Sequence, residues 1–139
     1  NDTGGRLLRE LLEGDGHEVL GHAIVPDEPS TLRGAIEQQL ETDTVQAVIT
    51  TGGTGISRRD DSYEVVTALI DKRIDGFGEL FRALSFEEIG PSAMLSRACA
   101  GTSRGKILVS LPGSRNAVRL GMMRLVLPEL GHLVREVTR

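Results

Sequence analysis

The stretch AVITTGGTGISRRDDSYE, at residues 47–64, decides the predicted fold. It joins the apolar segment 45–50, which is typical of a buried strand, to a glycine-rich turn and a charged helix start. In parallel α/β sheets, ligands bind beyond the carboxyl ends of the strands, and this loop leaves such an end. The stretch therefore predicts an α/β protein that binds a ligand at the edge of its sheet.

Upstream of this loop, the sequence predicts a helix followed by a strand. Asp2 or Thr3 supplies the capping oxygen of the helix, and Gly14 or Gly16 ends it. A strand is expected at about residues 17–25. The helix turns one apolar face to the core, formed by Leu7, Leu8, Leu11 and Leu12.

A second helix begins at Pro29, which suits a first helical turn. Beyond the glycine-rich loop, two helical patterns lie on either side of a break at residues 76–78. The segment 91–101 is ambiguous between helix and loop, whereas residues 106–111 indicate another buried strand. A last helical stretch starts at about Asn116.

The alternation of strand and helix patterns predicts the α/β class, with a three-layer α/β/α fold and a mostly parallel sheet. Residues 1–139 have the length of a single domain. A doubly wound domain usually opens on a strand, whereas this sequence opens on a helix. We therefore expect the first strand of the fold to lie upstream of residue 1.

Charge and composition exclude several classes of partner. The net charge of -4 and pI near 5.4 provide no basic field that would attract nucleic acid or an anionic membrane. No apolar run approaches the roughly 20 residues that span a bilayer. The single cysteine, Cys99, cannot form an intrachain disulfide, and no Cys/His cluster has the spacing of a zinc site. These features predict a cytoplasmic protein.

The glycine-rich loop has two interpretations. In the first, backbone N–H groups could approach a phosphate because no side chains stand at Gly52, Gly53 and Gly55. Hydroxyl donors are added by Thr51 and Thr54. Alternatively, the glycines only supply the positive φ angles of a strand-to-helix turn. The loop lacks the third glycine of a dinucleotide-binding motif and the Gly-Lys of a P-loop. Anion binding by a loop that is neither of these motifs therefore remains one of the two interpretations.

Charged residues follow the loop at positions 58–61. They suit a solvated helix start, or a site in which Arg59 binds phosphate oxygens and the Asp60 carboxylate binds Mg²⁺. Asp27, after the strand predicted at residues 17–25, supplies a second carboxylate or else caps the next helix.

A second polar turn, formed by Pro112, Gly113 and Ser114, ends the strand predicted at residues 106–111. Its backbone N–H groups and the Ser114 hydroxyl suit a second anion, and the alternative is a helix N-cap.

The sequence resembles the molybdopterin-binding fold shared by the MogA and MoaB proteins and the G domain of gephyrin. The resemblance covers almost the whole chain, and its most specific part is TTGGTG followed four residues later by Arg-Asp. The matching stretches are DTGGRLLRELLEGDGHEV at 2–19, VPDE at 25–28, TTGGTG at 50–55, RD at 59–60, GFGELFR at 76–82, AMLSR at 93–97 and LPGS at 111–114.

This resemblance implies an enzyme that binds molybdopterin and ATP with Mg²⁺ and makes adenylyl-molybdopterin and pyrophosphate. Asp27 and Asp60 match the two important aspartates of the family and would hold or orient Mg²⁺ and the nucleotide phosphates. The implied substrate-binding residues are Thr51, Gly52, Gly53, Thr54, Gly55, Arg59 and Ser62, with Pro112, Gly113 and Ser114 for the pterin phosphate.

The resemblance also implies a homotrimer, or a dimer of trimers, and contacts with other enzymes of molybdenum cofactor biosynthesis. The sequence departs from the family in having Ser62-Tyr63-Glu64 where Thr-Pro-Glu is common. The alternative function is that of a non-catalytic molybdopterin-binding or carrier protein of the MoaB type.

Overall fold

The computed structural model describes residues 2–139, and Asn1, the first residue of the predicted domain, lies outside the described residues. The helices are α1 (Thr3–Gly14), α2 (Pro29–Leu40), α3 (Ser62–Leu69), α4 (Asp75–Ile89), α5 (Arg115–Gly121) and α6 (Leu127–Val137). The strands are β1 (Ala47–Thr51), β2 (Lys72–Arg73), β3 (Cys99–Ser103) and β4 (Lys106–Leu111). None of these helices is both long and apolar enough to cross a membrane.

The four strands form one mixed sheet in the order β1-β4-β3-β2. β1 and β4 are parallel, with Ala47 opposite Ile107, whereas β3 is antiparallel to both β4 and β2. The connection between β3 and β4 is the two-residue turn Arg104-Gly105, whose φ angles of 52° and 79° are those of a tight hairpin. The α/β class is therefore confirmed. The sheet is mixed rather than mostly parallel as predicted, because among the described strands only β1 and β4 run parallel and the hairpin makes β3 antiparallel to β4.

Helices cover both faces of the sheet, as the three-layer prediction requires. Ile107, Val109 and Leu111 of β4 face a core built with α1, α4, α5 and α6. Leu108 faces the opposite way, into a second core with α2 and α3. Alternation of side chains along a strand explains this division, since successive residues point to opposite faces.

Most predicted helices are confirmed, with small changes at their ends. α1 is capped by Asp2, whose carboxylate accepts a hydrogen bond from the Gly5 N–H at 3.1 Å. The expected break at residues 76–78 is wrong, because α4 starts at Asp75 and includes both glycines. A Cβ on Gly78 would lie 3.0 Å from the Ala98 carbonyl oxygen, so this glycine permits close packing of α4 on β3.

The strand predicted at residues 17–25 is wrong, since this segment makes no ladder with the sheet described for residues 2–139. The segment and β1 both line a cavity of about 680 Å³, and among residues 2–139 the segment pairs with no strand. A hydrogen bond of 2.7 Å between His22 Nε2 and Asp2 Oδ2 attaches it to the start of α1 instead.

The ambiguous segment 91–101 contains most of a 3₁₀ helix, Gly90–Leu95, and the first residues of β3. β3 reads CAGTS, and these small residues carry little of the β-branched and aromatic character that identifies a strand in a sequence. The last helical stretch is interrupted by a π-helical turn, Met122–Val126, just before Pro128. A proline has no N–H to donate to the preceding turn, which accounts for the irregularity there.

Two buried hydroxyls lie opposite each other on β1 and β4. Thr50 and Ser110 are paired in register, and neither hydroxyl has a hydrogen-bond partner among residues 2–139. Ser110 is two residues from Leu108 and therefore faces the same layer of α2 and α3. A buried polar group without a partner is a local cost to stability.

We expect Ser110→Ala to leave the free energy of unfolding unchanged or to raise it by up to about 1 kcal/mol, because it removes an unsatisfied hydroxyl. Ser103→Ala is the matched control, since the equally buried Ser103 hydroxyl donates to the Leu69 carbonyl oxygen. Its removal should lower the free energy of unfolding by about 1 to 2 kcal/mol. Urea denaturation measures both changes. Equal losses of unfolding free energy in the two variants would contradict the assignment of the Ser110 hydroxyl as an unsatisfied group.

Candidate functional site

Two polar loops meet at one edge of the sheet. Because β1 and β4 are parallel, the loops that follow them leave from the same end, as the sequence predicted. The Gly52 N–H donates to the Leu111 carbonyl oxygen at 2.8 Å, which continues the ladder from the end of β4 into the glycine-rich loop. A Cβ on Gly113 would lie 3.3 Å from the Cα of Gly52, so the two backbones are in contact.

The start of α1 closes the same corner. A Cβ on Gly4 would lie only 2.6 Å from the Gly113 carbonyl oxygen, so a side chain there would push α1 away from the loop after β4. The Arg115 guanidinium adds a longer contact of 3.4 Å to the Thr3 carbonyl oxygen. The backbones of α1 and the two loops therefore form one tightly packed corner.

The glycine-rich loop needs its glycines for backbone conformation. Gly52 and Gly53 have φ angles of 95° and 70°, in the left-handed region that favours glycine. A Cβ on Gly53 would also lie 2.3 Å from the Ser62 hydroxyl oxygen. Thr54 is buried, with 4% of its surface exposed. The turn interpretation is thus confirmed at Gly52 and Gly53, and it is compatible with anion binding by the same loop.

Asp60 lies in the second half of this loop and is held by a neighbouring serine. Its carboxylate accepts hydrogen bonds from the Ser57 hydroxyl at 2.7 Å and the Ser57 N–H at 2.9 Å. These hydrogen bonds lower the pKa of Asp60, chiefly through the Ser57 hydroxyl. A Cβ on Gly55 would lie 2.8 Å from an Asp60 carboxylate oxygen, so Gly55 makes room for the acid. Asp60 is therefore a preorganised carboxylate that stays ionised.

The cavity of about 680 Å³ brings together only some of the predicted site residues. It runs along β1 to the glycine-rich loop, and Asp61, which the sequence analysis considered only as part of a charged helix start, also lines it. The predicted residues on its wall are Asp27, Thr51, Gly52, Gly53, Arg59 and Ser62. Those that do not line it are Thr54, Gly55, Asp60, Pro112, Gly113 and Ser114.

Glu28, rather than Asp27, caps α2. The Glu28 carboxylate accepts hydrogen bonds from the Ser30 and Thr31 N–H groups and from both hydroxyls. Those bonds, led by the Ser30 hydroxyl, lower the pKa of Glu28 to about 2. The cap interpretation of Asp27 is therefore wrong. Among residues 2–139, no group donates a hydrogen bond to the exposed Asp27 carboxylate, which leaves it available on the cavity wall.

Ser114 has the capping role that its position predicted. Its hydroxyl oxygen accepts a hydrogen bond from the Ala117 N–H at 3.2 Å at the start of α5. A serine hydroxyl also carries one O–H donor, which this cap does not use. Ser114 can therefore cap the helix and donate to an anion at the same time.

Arg97 is the main residue of this region to which the sequence analysis assigned no role. Its side chain donates to the carbonyl oxygens of Gly55 at 3.0 Å and Asp60 at 2.9 Å, and its N–H donates to the Thr54 carbonyl oxygen. Arg97 belongs to the AMLSR stretch, and that resemblance was the one signal available for it.

Mg²⁺ is the metal that the resemblance implies. No group of three or more His, Cys, Asp or Glu side chains in residues 2–139 forms a metal cage. Mg²⁺ is commonly held by one or two carboxylates together with substrate phosphates, so such a cage is not required. The ionised Asp60 and the exposed Asp27 have the donor chemistry of that kind of site.

Cys99 is a core residue. It packs in the cluster with α2 and α3, and burial raises the pKa of its thiol. A protonated, buried thiol is a poor nucleophile, so the chemistry of the site falls to carboxylates, hydroxyls and backbone N–H groups.

At the end of the parallel strands lie a glycine-rich loop, the ionised Asp60 carboxylate and the serine-capped helix α5. This arrangement is typical of α/β proteins that bind anionic ligands. Comparison with known families makes this assignment specific. Residues 1–132 match the family described as a probable molybdopterin binding domain, and the chain belongs to that family.

Individual relatives agree with the family. Molybdenum cofactor biosynthesis protein B of Bacillus cereus is 50% identical over 139 residues, covering 99% of this chain and 82% of the relative. A crystal structure of a molybdenum cofactor biosynthesis protein B superposes with a TM-score of 0.95 at 50% identity, covering 98% of this chain and 85% of the other. The tungsten cofactor synthesizing protein MoaB of Pyrococcus furiosus has a TM-score of 0.92 at 38% identity, covering 100% and 87%.

Proposed function

We propose that this protein acts in molybdenum cofactor biosynthesis, as one molybdopterin-binding domain that joins the terminal phosphate of molybdopterin to the adenylyl group of ATP. The observation that carries the proposal is the contact between the glycine-rich loop and the loop after β4 at one sheet edge. Two neighbouring anion-binding loops suit two phosphorylated substrates. Membership of the molybdopterin-binding family supports the choice of substrate.

Each loop has a distinct task in this reaction. Residues 112–114, with the free O–H of Ser114, bind the terminal phosphate of molybdopterin. The loop at residues 51–55, with Arg59 and Ser62, binds the phosphates of ATP. A pterin phosphate oxygen then attacks the α-phosphorus, the bond from that phosphorus to the bridging oxygen breaks, and pyrophosphate leaves. Positioning and charge neutralisation supply most of the catalysis.

Asp27 and Asp60 are the residues that would hold Mg²⁺ in this scheme. When bound, Mg²⁺ neutralises phosphate charge and orients the transferred group. The hydrogen bonds from Ser57 keep Asp60 ionised, and Asp27 lines the same cavity as Gly52 and Gly53 of the glycine-rich loop.

The second candidate function is molybdopterin binding without catalysis. It is favoured by the position of Asp60, whose carboxylate is turned towards Ser57 and does not line the cavity that Asp27 reaches. Both functions need the pterin-phosphate loop, and only adenylyl transfer needs the two aspartates. Product formation therefore separates the two candidates.

Self-association is the third part of the proposal, and we expect a homotrimer as the resemblance implies. An apolar surface on α4 and the 3₁₀ helix supports it, because such a surface is usually covered by a partner. Its exposed side chains are Leu80, Phe86, Ile89, Met94 and Leu95.

Incubation of the protein with molybdopterin, ATP and Mg²⁺ should give pyrophosphate and adenylylated pterin. We expect Asp60→Asn and Asp27→Asn to abolish transfer while pterin binding stays within several-fold of the parent. Asp27→Asn should leave the melting temperature unchanged, since Glu28 caps α2. Asp43→Asn, before the opposite end of β1, is the control and should retain full activity.

A fully active Asp60→Asn variant would remove Asp60 from the mechanism. A parent protein that binds molybdopterin and yields no adenylylated product would favour the non-catalytic function.

Ser114→Asp tests the pterin-phosphate loop separately from catalysis. Aspartate keeps the helix cap and sets a negative charge against the bound phosphate. We expect molybdopterin affinity to fall at least tenfold, about 1.4 kcal/mol, with little change in melting temperature. Calorimetric titration of variant and parent measures the difference, and an unchanged affinity would limit Ser114 to its capping role.

Light scattering on the purified protein should give the mass of a trimer. Leu80→Glu and Phe86→Glu should shift that mass towards the monomer if the apolar surface on α4 is the interface, because a charge cannot be buried there without a partner. Ile24→Glu, at another exposed apolar position, is the control and should not change the mass. A monomeric parent protein at working concentration would contradict the trimer.

A further inference from the structure

The loop at residues 54–60 is held from outside by a single side chain. Arg97, which follows the 3₁₀ helix, donates through Nε to the Gly55 carbonyl oxygen at 3.0 Å and through Nη2 to the Asp60 carbonyl oxygen at 2.9 Å. The Arg97 N–H donates to the Thr54 carbonyl oxygen at 2.8 Å. These contacts hold both ends of the loop, so Arg97 closes it.

Arg97 is itself fixed by the first turn of α3. Its guanidinium makes a paired contact with the Glu64 carboxylate, at 2.5 Å and 3.3 Å, and lies 4.8 Å from the centre of the Tyr63 ring. The hydrogen bond from Arg97 lowers the pKa of Glu64, so the pair stays charged. The guanidinium therefore has a defined orientation.

The hydrogen bonds of Arg97 leave little capacity for a ligand. A guanidinium has five N–H donors, and the contacts with Gly55, Asp60 and Glu64 use four of them. Arg59, by contrast, is exposed on the cavity wall. Arg97 is therefore suited to shaping the loop, and Arg59 to contacting phosphate.

We infer that Arg97 is a positioning residue, which closes the loop at residues 54–60 and so fixes the Asp60 carboxylate for the reaction at this site. The role in the reaction rests on the proposed function, whereas loop closure does not depend on it. Closure acts on the backbone on both sides of Ser57, the residue that binds the Asp60 carboxylate.

The planar fork of arginine is essential to this role. Lysine keeps the positive charge at Arg97 and loses the fixed directions of the five donors, so it cannot hold the Gly55 and Asp60 carbonyl oxygens and Glu64 together. Arg97→Lys therefore separates loop closure from charge. Arg104→Lys is the matched control, because the Arg104 guanidinium also holds two acceptors, the carboxylates of Glu37 and Glu41, without contacting the loop.

Trypsin measures closure directly, since Arg58 and Arg59 are exposed cleavage sites inside the loop. We expect Arg97→Lys and Arg97→Ala to raise the rate of cleavage after these residues at least about fivefold, with mass spectrometry identifying the cut. Arg104→Lys should be cleaved after Arg58 and Arg59 at the parental rate. Unchanged cleavage in both Arg97 variants, with native melting curves, would overturn loop closure.

Kinetics on the same samples test positioning. Arg97→Lys should lower kcat for adenylyl transfer at least about tenfold and leave KM for molybdopterin within about threefold, because misplacing a group that acts in the transition state mainly affects turnover. If a variant's loop is cleaved faster while its kcat equals that of the parent, the positioning role is overturned.

If Arg97→Ala does not fold, both measurements are made on Arg97→Lys. An inactive parent would refute the proposed function and the positioning role together, and the trypsin result would then decide loop closure alone.

Discussion

The parallel pairing of β1 with β4 is the constraint on which the rest of the site depends. It sends the glycine-rich loop and the loop after β4 out of the same end of the sheet. The hydrogen bond from the Gly52 N–H to the Leu111 carbonyl oxygen at the end of β4 carries the ladder one residue beyond β1. If these strands were antiparallel, the two loops would lie at opposite ends and could not serve one ligand site.

Close backbone contact at this corner is possible only because glycine stands at the contact points. A methyl group on Gly4 or Gly113 would collide with or press on the neighbouring backbone, whereas Gly52 is needed for its φ angle of 95°. Glycines at this corner therefore serve packing at two positions and conformation at a third, and they leave few side chains between the loops. Arg97 adds hydrogen bonds to this arrangement, because it donates to carbonyl oxygens that accept none from within the loop.

The electrostatics of the protein are local. A net charge of -4 would repel anionic substrates at long range, so binding must come from donors placed at short range. Backbone N–H groups, the Ser114 hydroxyl and Arg59 suit that task, while Ser57 and Ser30 hold the carboxylates of Asp60 and Glu28 in their ionised forms. Acidic groups near a phosphate site are compatible with anion binding when a cation joins them.

The sequence by itself determined the elements whose signals are local. Apolar periodicity and capping residues identified α1 and α2, and two apolar runs ending in glycine turns identified β1 and β4 and their common edge. The order of the matching motifs along the sequence also identified the family, since each motif lies in a short contiguous stretch.

Only the tertiary structure decided the rest. β3 is a strand because β4 pairs with it through a hairpin, although its small residues carry no strand signal. Among residues 2–139, the segment 17–25 is not a strand, since it forms no ladder with the four-stranded sheet. Arg97 and Gly55 are 42 residues apart, and a carbonyl acceptor has no side chain that a sequence could display. Contacts to the backbone at such separations exist only once the chain has folded.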